Sequence, residues 1–128
     1  MQCFPGQLNQ VFMNLLANAI DAFDEVNQGK SFAEIEANPN RITIETEKHD
    51  RQQVRIRITD NGCGMKPETV DRIFEQGFTT KAIGKGTGLG MAIALSIIEE
   101  KHGGRIRCRS QLGKGTEFTI AIPLHFPG

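Results

Sequence analysis

No excess of either charge marks this chain: 15 lysines and arginines are matched by 15 aspartates and glutamates over 128 residues. A chain without a basic footprint does not select DNA, RNA or an anionic membrane surface, so neither nucleic acid nor direct membrane contact is expected. Cysteine is scarce as well. Cys3, Cys63 and Cys108 are odd in number and lack CxxC or metal-ligand spacing, which excludes a disulfide framework and a zinc site and suits free thiols in a reducing, cytosolic compartment. No apolar run approaches the roughly 20 residues of a membrane span, and the first 16 residues lack the basic start and apolar centre of a signal peptide. A larger parent protein could still be membrane-anchored. Internal repeats and low-complexity tracts are also missing, and the length fits a single domain over residues 1–128 with one core.

What the chain does have is periodicity. Leu8, Val11, Phe12, Leu15, Leu16, Ala19, Ile20 and Phe23 follow the i, i+3, i+4, i+7 spacing of an amphipathic helix over residues 7–23. Asn14, Asn18 and Asp21 fall on one stripe away from the centre of the apolar arc, on the face expected to meet a ligand. Residues 27–40 are polar, contain Gly29 and Pro39, and read as a mobile connection. Residues 41–47 and 53–59 alternate apolar and polar side chains and read as an antiparallel hairpin. Pro67 opens a short helix carrying Val70, Ile73 and Phe74, and residues 75–88 form a loop long enough to be a lid. Helical spacing returns over residues 89–101, and two strands, 105–109 and 117–123, flank a turn at Gly113, Lys114 and Gly115. The expected fold is α+β: a two-layer α/β sandwich whose mixed, mostly antiparallel sheet is packed on one side by about three helices.

Four polar or glycine-rich signatures interrupt this pattern in order: residues 10–21 (QVFMNLLANAID), 60–65 (DNGCGM), 84–90 (GKGTGLG) and 113–118 (GKGTEF). The third is neither a Walker A loop, since Gly86 follows Lys85, nor a Rossmann fingerprint. It feeds Gly88 and Leu89 into a helix N-terminus, where free N–H groups and the helix dipole favour phosphate oxygens. Taken singly, each signature has a plainer reading: Asp60-Asn61-Gly62 as a turn, Asn14 and Asn18 as solvated amides, Thr116 as a strand-start hydroxyl, Lys81 and Lys85 as solvated loop residues.

As an ordered set they resemble the N, G1, G2 and G3 boxes of the ATP-binding catalytic domain of sensor histidine kinases, a branch of the Bergerat-fold ATPases, and residues 73–81 resemble its F box. The resemblance covers nearly the whole chain. It implies that Asp60 accepts a hydrogen bond from the adenine amine, with Gly62, Gly64 and Met65 in the loop beside the base and Thr116 near it. Gly62 and Gly64 would let the backbone approach the base. It implies ATP and Mg2+ as cofactors, with Asn18 as the metal ligand and Asn14 and Asp21 on the same helix stripe. Gly86, Thr87, Gly88, Leu89 and Gly90 belong to the phosphate end, where Lys81 and Lys85 could add charge. Phe78 is expected to dock the lid and Phe74 to lie in the core.

Asn14 bears on the reaction. In hydrolysing relatives, such as the gyrase B subunit, the residue four before the metal-binding Asn resembles a Glu general base, and an amide cannot take that proton. Transfer of the γ-phosphoryl group to a protein side chain is therefore favoured over release to water, with Asn14, Asn18 and Lys81 as the catalytic set. None of His49, His102 and His125 lies in the family's helical phosphoacceptor motif, and His102 is better explained by a helix dipole. The implied partners are an upstream dimerisation and histidine phosphotransfer domain, which makes the chain a fragment, monomeric alone, and a response regulator receiver domain through the parent. The rivals are a serine kinase of the same superfamily, such as an anti-sigma factor, an ATP hydrolase and a silent nucleotide sensor.

Overall fold

The computed structural model describes residues 4–48, 52–75 and 90–123. Helix α1 (Pro5–Asn27) begins with proline in its first turn, where the missing N–H costs nothing. Leu8, Val11, Leu15, Ala19 and Phe23 are buried at intervals of three or four residues and form the face turned to the sheet. Ile20, placed in that arc by its spacing, stands 54% exposed instead. Residues 27–40, read as a connection, contain a further helix, α2 (Phe32–Ala37), capped by Ser31, whose Oγ accepts the Glu34 N–H at 3.2 Å. None of its residues is buried, and Phe32 is 76% exposed.

Strands β1 (Ile42–Lys48) and β2 (Gln53–Asp60) form the expected hairpin, in the register Ile42 opposite Asp60 and Lys48 opposite Val54. Helix α3 (Pro67–Val70) follows, and α4 (Gly90–Leu95) runs directly into a π-helical segment, Ser96–Lys101. The chain closes with β3 (Arg105–Gln111) and β4 (Gly115–Pro123). The sheet order is β1-β2-β4-β3, and every pairing among the described strands is antiparallel. Because β4 inserts between β2 and β3, the end of β2 meets the start of β4. That register, with Asp60 opposite Thr116 and Ser110 on its other side, brings two distant signatures together.

Leu8, Val11 and Leu15 of α1 and Ala94, Ile97 and Ile98 of the α4 rod meet Ile56, Ile58, Ile106, Phe118, Ile120 and Ile122 of the sheet. Phe74 packs against this cluster edge-on to Phe118, with ring centroids 6.4 Å apart, the core role read from the sequence. His102 departs from its expected role. It ends the π-helical segment but is 0% exposed, and its Nε2 accepts the Phe4 N–H at 3.0 Å while Nδ1 lies 2.9 Å from the Ile97 carbonyl. A carbonyl only accepts, so the single ring proton sits on Nδ1. This buried imidazole tethers the start of α1 to the end of the α4 rod, rather than offering a charge to a helix terminus. His49 and His125 lie outside the described residues.

Candidate nucleotide-binding site

Asp60, the last residue of β2, is 6% exposed, and its Oδ1 accepts the Gly62 N–H at 2.9 Å. Burial pushes its carboxyl above the ordinary aspartate value, and hydrogen bonds from the backbone N–H groups of Gly62 and Thr116 oppose that rise. The result is a recessed acceptor whose remaining lone pairs lack full hydration.

Asn61, unassigned from the sequence, holds the loop in place. Its side-chain oxygen accepts the Arg41 N–H at 2.7 Å, its amide donates to the Pro39 carbonyl at 3.1 Å, and its backbone N–H donates to the Arg41 carbonyl. These bonds fix the entry to β1 beside the exit from β2. Gly62 and Gly64 give room to protein rather than only to a ligand, which amends the reason inferred for them. A Cβ on Gly62 would lie 2.7 Å from the Ala22 Cβ of α1, and Gly64, at φ +71°, presses against the Gln111 carbonyl at the end of β3. Met65, next in this loop, donates its N–H to Ser110 Oγ at 2.8 Å. Ser110 is the second residue that sequence reasoning missed. Its signal was present, since a serine two residues beyond Cys108 and four beyond Ile106 falls on the core face of β3 and requires partners.

Cys63 Sγ lies 3.5 Å from Glu25 Oε2 of α1. Burial first, and then the Glu25 charge, push its thiol up to about 11, so it is a protonated packing residue in accord with its reading from sequence. Thr116 is buried, and its Oγ1 lies 2.8 Å from Ser110 Oγ.

Along α1 the site runs away from this corner. Ala22 touches the Gly62 position, and Asn14 Nδ2 donates to the Gly90 carbonyl at 3.0 Å, where α4 begins. Eight residues of helix span about 12 Å, and Asn18 lies between, one turn from Asn14. Both asparagines are half-buried, whereas Asp21 is exposed. Phe78, Lys81, Lys85, Gly86, Thr87, Gly88 and Leu89 lie outside the described residues. An open concavity of about 320 Å³ beside Thr59, Arg109, Lys114 and Glu117 belongs to the sheet face turned away from the helices. Asp60, Ser110 and Thr116 also line it, and no residue of α1 does.

Residues 4–125 match the family model described as histidine kinase-, DNA gyrase B-, and HSP90-like ATPase. The chain belongs to this family. Within the histidine kinase-, gyrase B- and HSP90-like ATPases it is 41% identical over 124 residues to the sensor histidine kinase ZraS of Salmonella typhi, a match covering 97% of this chain and 23% of that protein. Sporulation kinase E of Bacillus subtilis is 39% identical over 122 residues, covering 95% of this chain and 14% of that kinase. The chain thus spans less than a quarter of the curated relatives it resembles here. Among solved structures, the catalytic domain of histidine kinase ThkA in a nucleotide-free form superposes with a TM-score of 0.71 at 32% identity, covering 94% of this chain and 69% of that one. The mycobacterial sensor histidine kinase MprB gives 0.70 at 26% identity, covering 92% and 70%. The α+β sandwich is therefore the ATPase fold of this family, and the domain is a nucleotide-binding one. Among the described residues no helix is long and apolar enough to cross a membrane.

Proposed function

We propose that the domain binds Mg-ATP and donates its γ-phosphoryl group to a histidine on a separate dimerisation and phosphotransfer domain of a cytoplasmic kinase module, from which a response regulator receiver is phosphorylated. In this reading Asp60 accepts from the adenine amine and Thr116 lies beside it. The loop of Gly62, Gly64 and Met65 borders the base, and the α1 stripe of Asn14, Asn18 and Asp21 leads toward the phosphates. Phe78, Lys81, Lys85 and residues 86–90 complete that end, with the lysines supplying positive charge and Phe78 docking the lid. Magnesium, a hard cation that keeps several waters, would take an oxygen from Asn18 and the rest from phosphate and solvent. The donor set fits: Asn18, half-buried on α1 one turn from Asn14, carries a neutral amide oxygen of the hard kind that magnesium takes alongside phosphate and water. The bound metal supplies charge neutralisation at the phosphates, and the protein supplies positioning.

The observation that carries transfer over hydrolysis is Asn14. Its amide donates to the Gly90 carbonyl at 3.0 Å, so the group at the position of a general base is a committed hydrogen-bond donor with no basic nitrogen. With dimerisation left to the upstream helices, this chain alone is a monomer. Incubating the parent protein with γ-labelled ATP and magnesium tests the assignment. Acid-labile, base-stable label on the protein is expected. Acid-stable label would indicate a serine kinase, free phosphate without label a hydrolase, and neither product a nucleotide sensor.

A further inference from the structure

Ser110 has three hydrogen-bond partners and one proton. Its Oγ lies 2.9 Å from the Gly115 carbonyl, 2.8 Å from the Met65 N–H group and 2.8 Å from Thr116 Oγ1. A serine hydroxyl donates once and accepts twice. The carbonyl can only accept, so the Ser110 proton goes to Gly115. The amide can only donate, so it occupies one Ser110 lone pair. One arrangement then satisfies the third contact: Thr116 donates its own hydroxyl proton to the remaining lone pair of Ser110. Thr116 Oγ1 is left with lone pairs alone. Beside it, Asp60 accepts from the backbone N–H groups of Gly62 and Thr116 and likewise offers lone pairs.

We propose that Ser110 is a specificity-determining residue: by holding the Thr116 proton it makes Asp60 and Thr116 a pair of acceptors, which selects a nucleobase bearing an amino group over one bearing an oxo group. The inference rests on the reading that Asp60 faces the base. An amine places protons against the two acceptors, whereas an oxo group sets lone pairs against lone pairs and leaves buried polar atoms unmatched, the kind of mismatch on which sites discriminate strongly. In this reading Ser110 is a positioning residue that acts through Thr116 rather than by contact with the base. Its removal frees the Thr116 hydroxyl to rotate and donate, which gives an oxo group a partner.

Calorimetric titration of this chain with magnesium and either ATP or its 6-oxo counterpart ITP tests the proposal. The wild-type chain should prefer ATP, and Ser110→Ala should shrink the ratio of the two dissociation constants by about two- to tenfold, the worth of one hydrogen bond. Ser110→Thr, which keeps the hydroxyl, should preserve the ratio. If Ser110→Ala does not fold, Ser110→Cys, a weak acceptor of similar size, should shrink the ratio in the same direction. Equal weakening of both nucleotides in the Ala or Cys variant, with the ratio unchanged, would reduce Ser110 to a structural brace and overturn the proposal. A separate control isolates the underlying reading: Asp60→Ala with wild-type affinity and wild-type preference would show that the base does not lie at Asp60 at all.

Discussion

The two ends of the site are held in different ways. At the end proposed for the base, Asp60, Thr116 and Ser110 occupy adjacent positions on three hydrogen-bonded strands, and their geometry follows from backbone register. At the other end α1 meets the start of α4 through a side-chain hydrogen bond, Asn14 to the Gly90 carbonyl. A sheet register shifts only in whole residues and would turn every core side chain outward, whereas one amide contact between helices can be lost without disturbing either helix. In the proposed reading the sheet end is thus a fixed template for the base and the helix end an adjustable one for the phosphates, which suits the proposed transfer of phosphate to another protein.

The largest blow to this contrast should come from beneath the template. Phe118 is 2% exposed, packs edge-on against Phe74, and lies two residues along β4 from Thr116. Phe118→Ala should destabilise the chain by about 3–5 kcal/mol, read as a lower denaturation midpoint, and lost nucleotide binding should track lost fold. If the variant stays folded and binds normally, the core does not support the template.

Asp60→Asn comes next. It exchanges a charged acceptor for a neutral one that also carries donors, and nucleotide affinity should fall roughly tenfold to a hundredfold, matching about 1.5–3 kcal/mol for a hydrogen bond to a charged group. Unchanged affinity by calorimetry would reject the role of Asp60. Stability should move the other way with pH. Because burial raises the Asp60 carboxyl above 3.8, the folded state binds its proton more readily than the unfolded state. Asp60 therefore contributes most below the unfolded value, and its contribution falls as pH rises through the folded one. From about pH 4 upward, wild-type stability relative to Asp60→Asn should decline until the folded carboxyl has ionised. A rising difference would mean that the Gly62 and Thr116 N–H groups outweigh burial.

A smaller effect should come from the adjustable end. Asn14→Ala removes the bond to Gly90 and should cost about 0.5–1.5 kcal/mol in chemical denaturation. Nucleotide affinity should drop, yet the preference between ATP and ITP should stay at its wild-type value, because the base end is untouched. A changed preference would show that the two ends are coupled and that the contrast between them is false.

What was legible in the sequence divides along similar lines. The spacing of Leu8, Val11, Leu15, Ala19 and Phe23 announces α1, and the alternation of Ile56 and Ile58 with Arg55 and Arg57 announces β2, because periodicity is imposed by the core these residues share. The π-helical turn after Leu95 was not legible, since apolar residues three and four apart also satisfy an ordinary helix. Nor was the fate of His102, whose burial depends on Phe4 arriving from 98 residues away. Asp60 and Thr116 stood out as motif residues; the place of Ser110 on the core face of β3 could be read from alternation, but its meeting with them follows from the insertion of β4 between β2 and β3. Strand order is a tertiary fact that no local pattern encodes.

Helix α2 is instructive in another way, because its whole signal was local and still went unread. Ser31 and Glu34 form the S-x-x-E start of a helix, and the structure shows Ser31 Oγ accepting the Glu34 N–H and donating to its carboxylate, both at 3.2 Å. Proline and glycine nearby masked the signal, and no apolar stripe followed it. With no buried residue, six residues of helix rest on this cap and on their own backbone bonds. An N-cap is worth about 1 kcal/mol to the helix it caps, but a segment uncoupled from the core passes little of that on. Ser31→Ala should therefore leave the global denaturation midpoint unchanged to within about 0.5 kcal/mol while speeding amide exchange at Glu34 and Ile35 several-fold. A global loss as large as that of Asn14→Ala would show that α2 is held to the core after all.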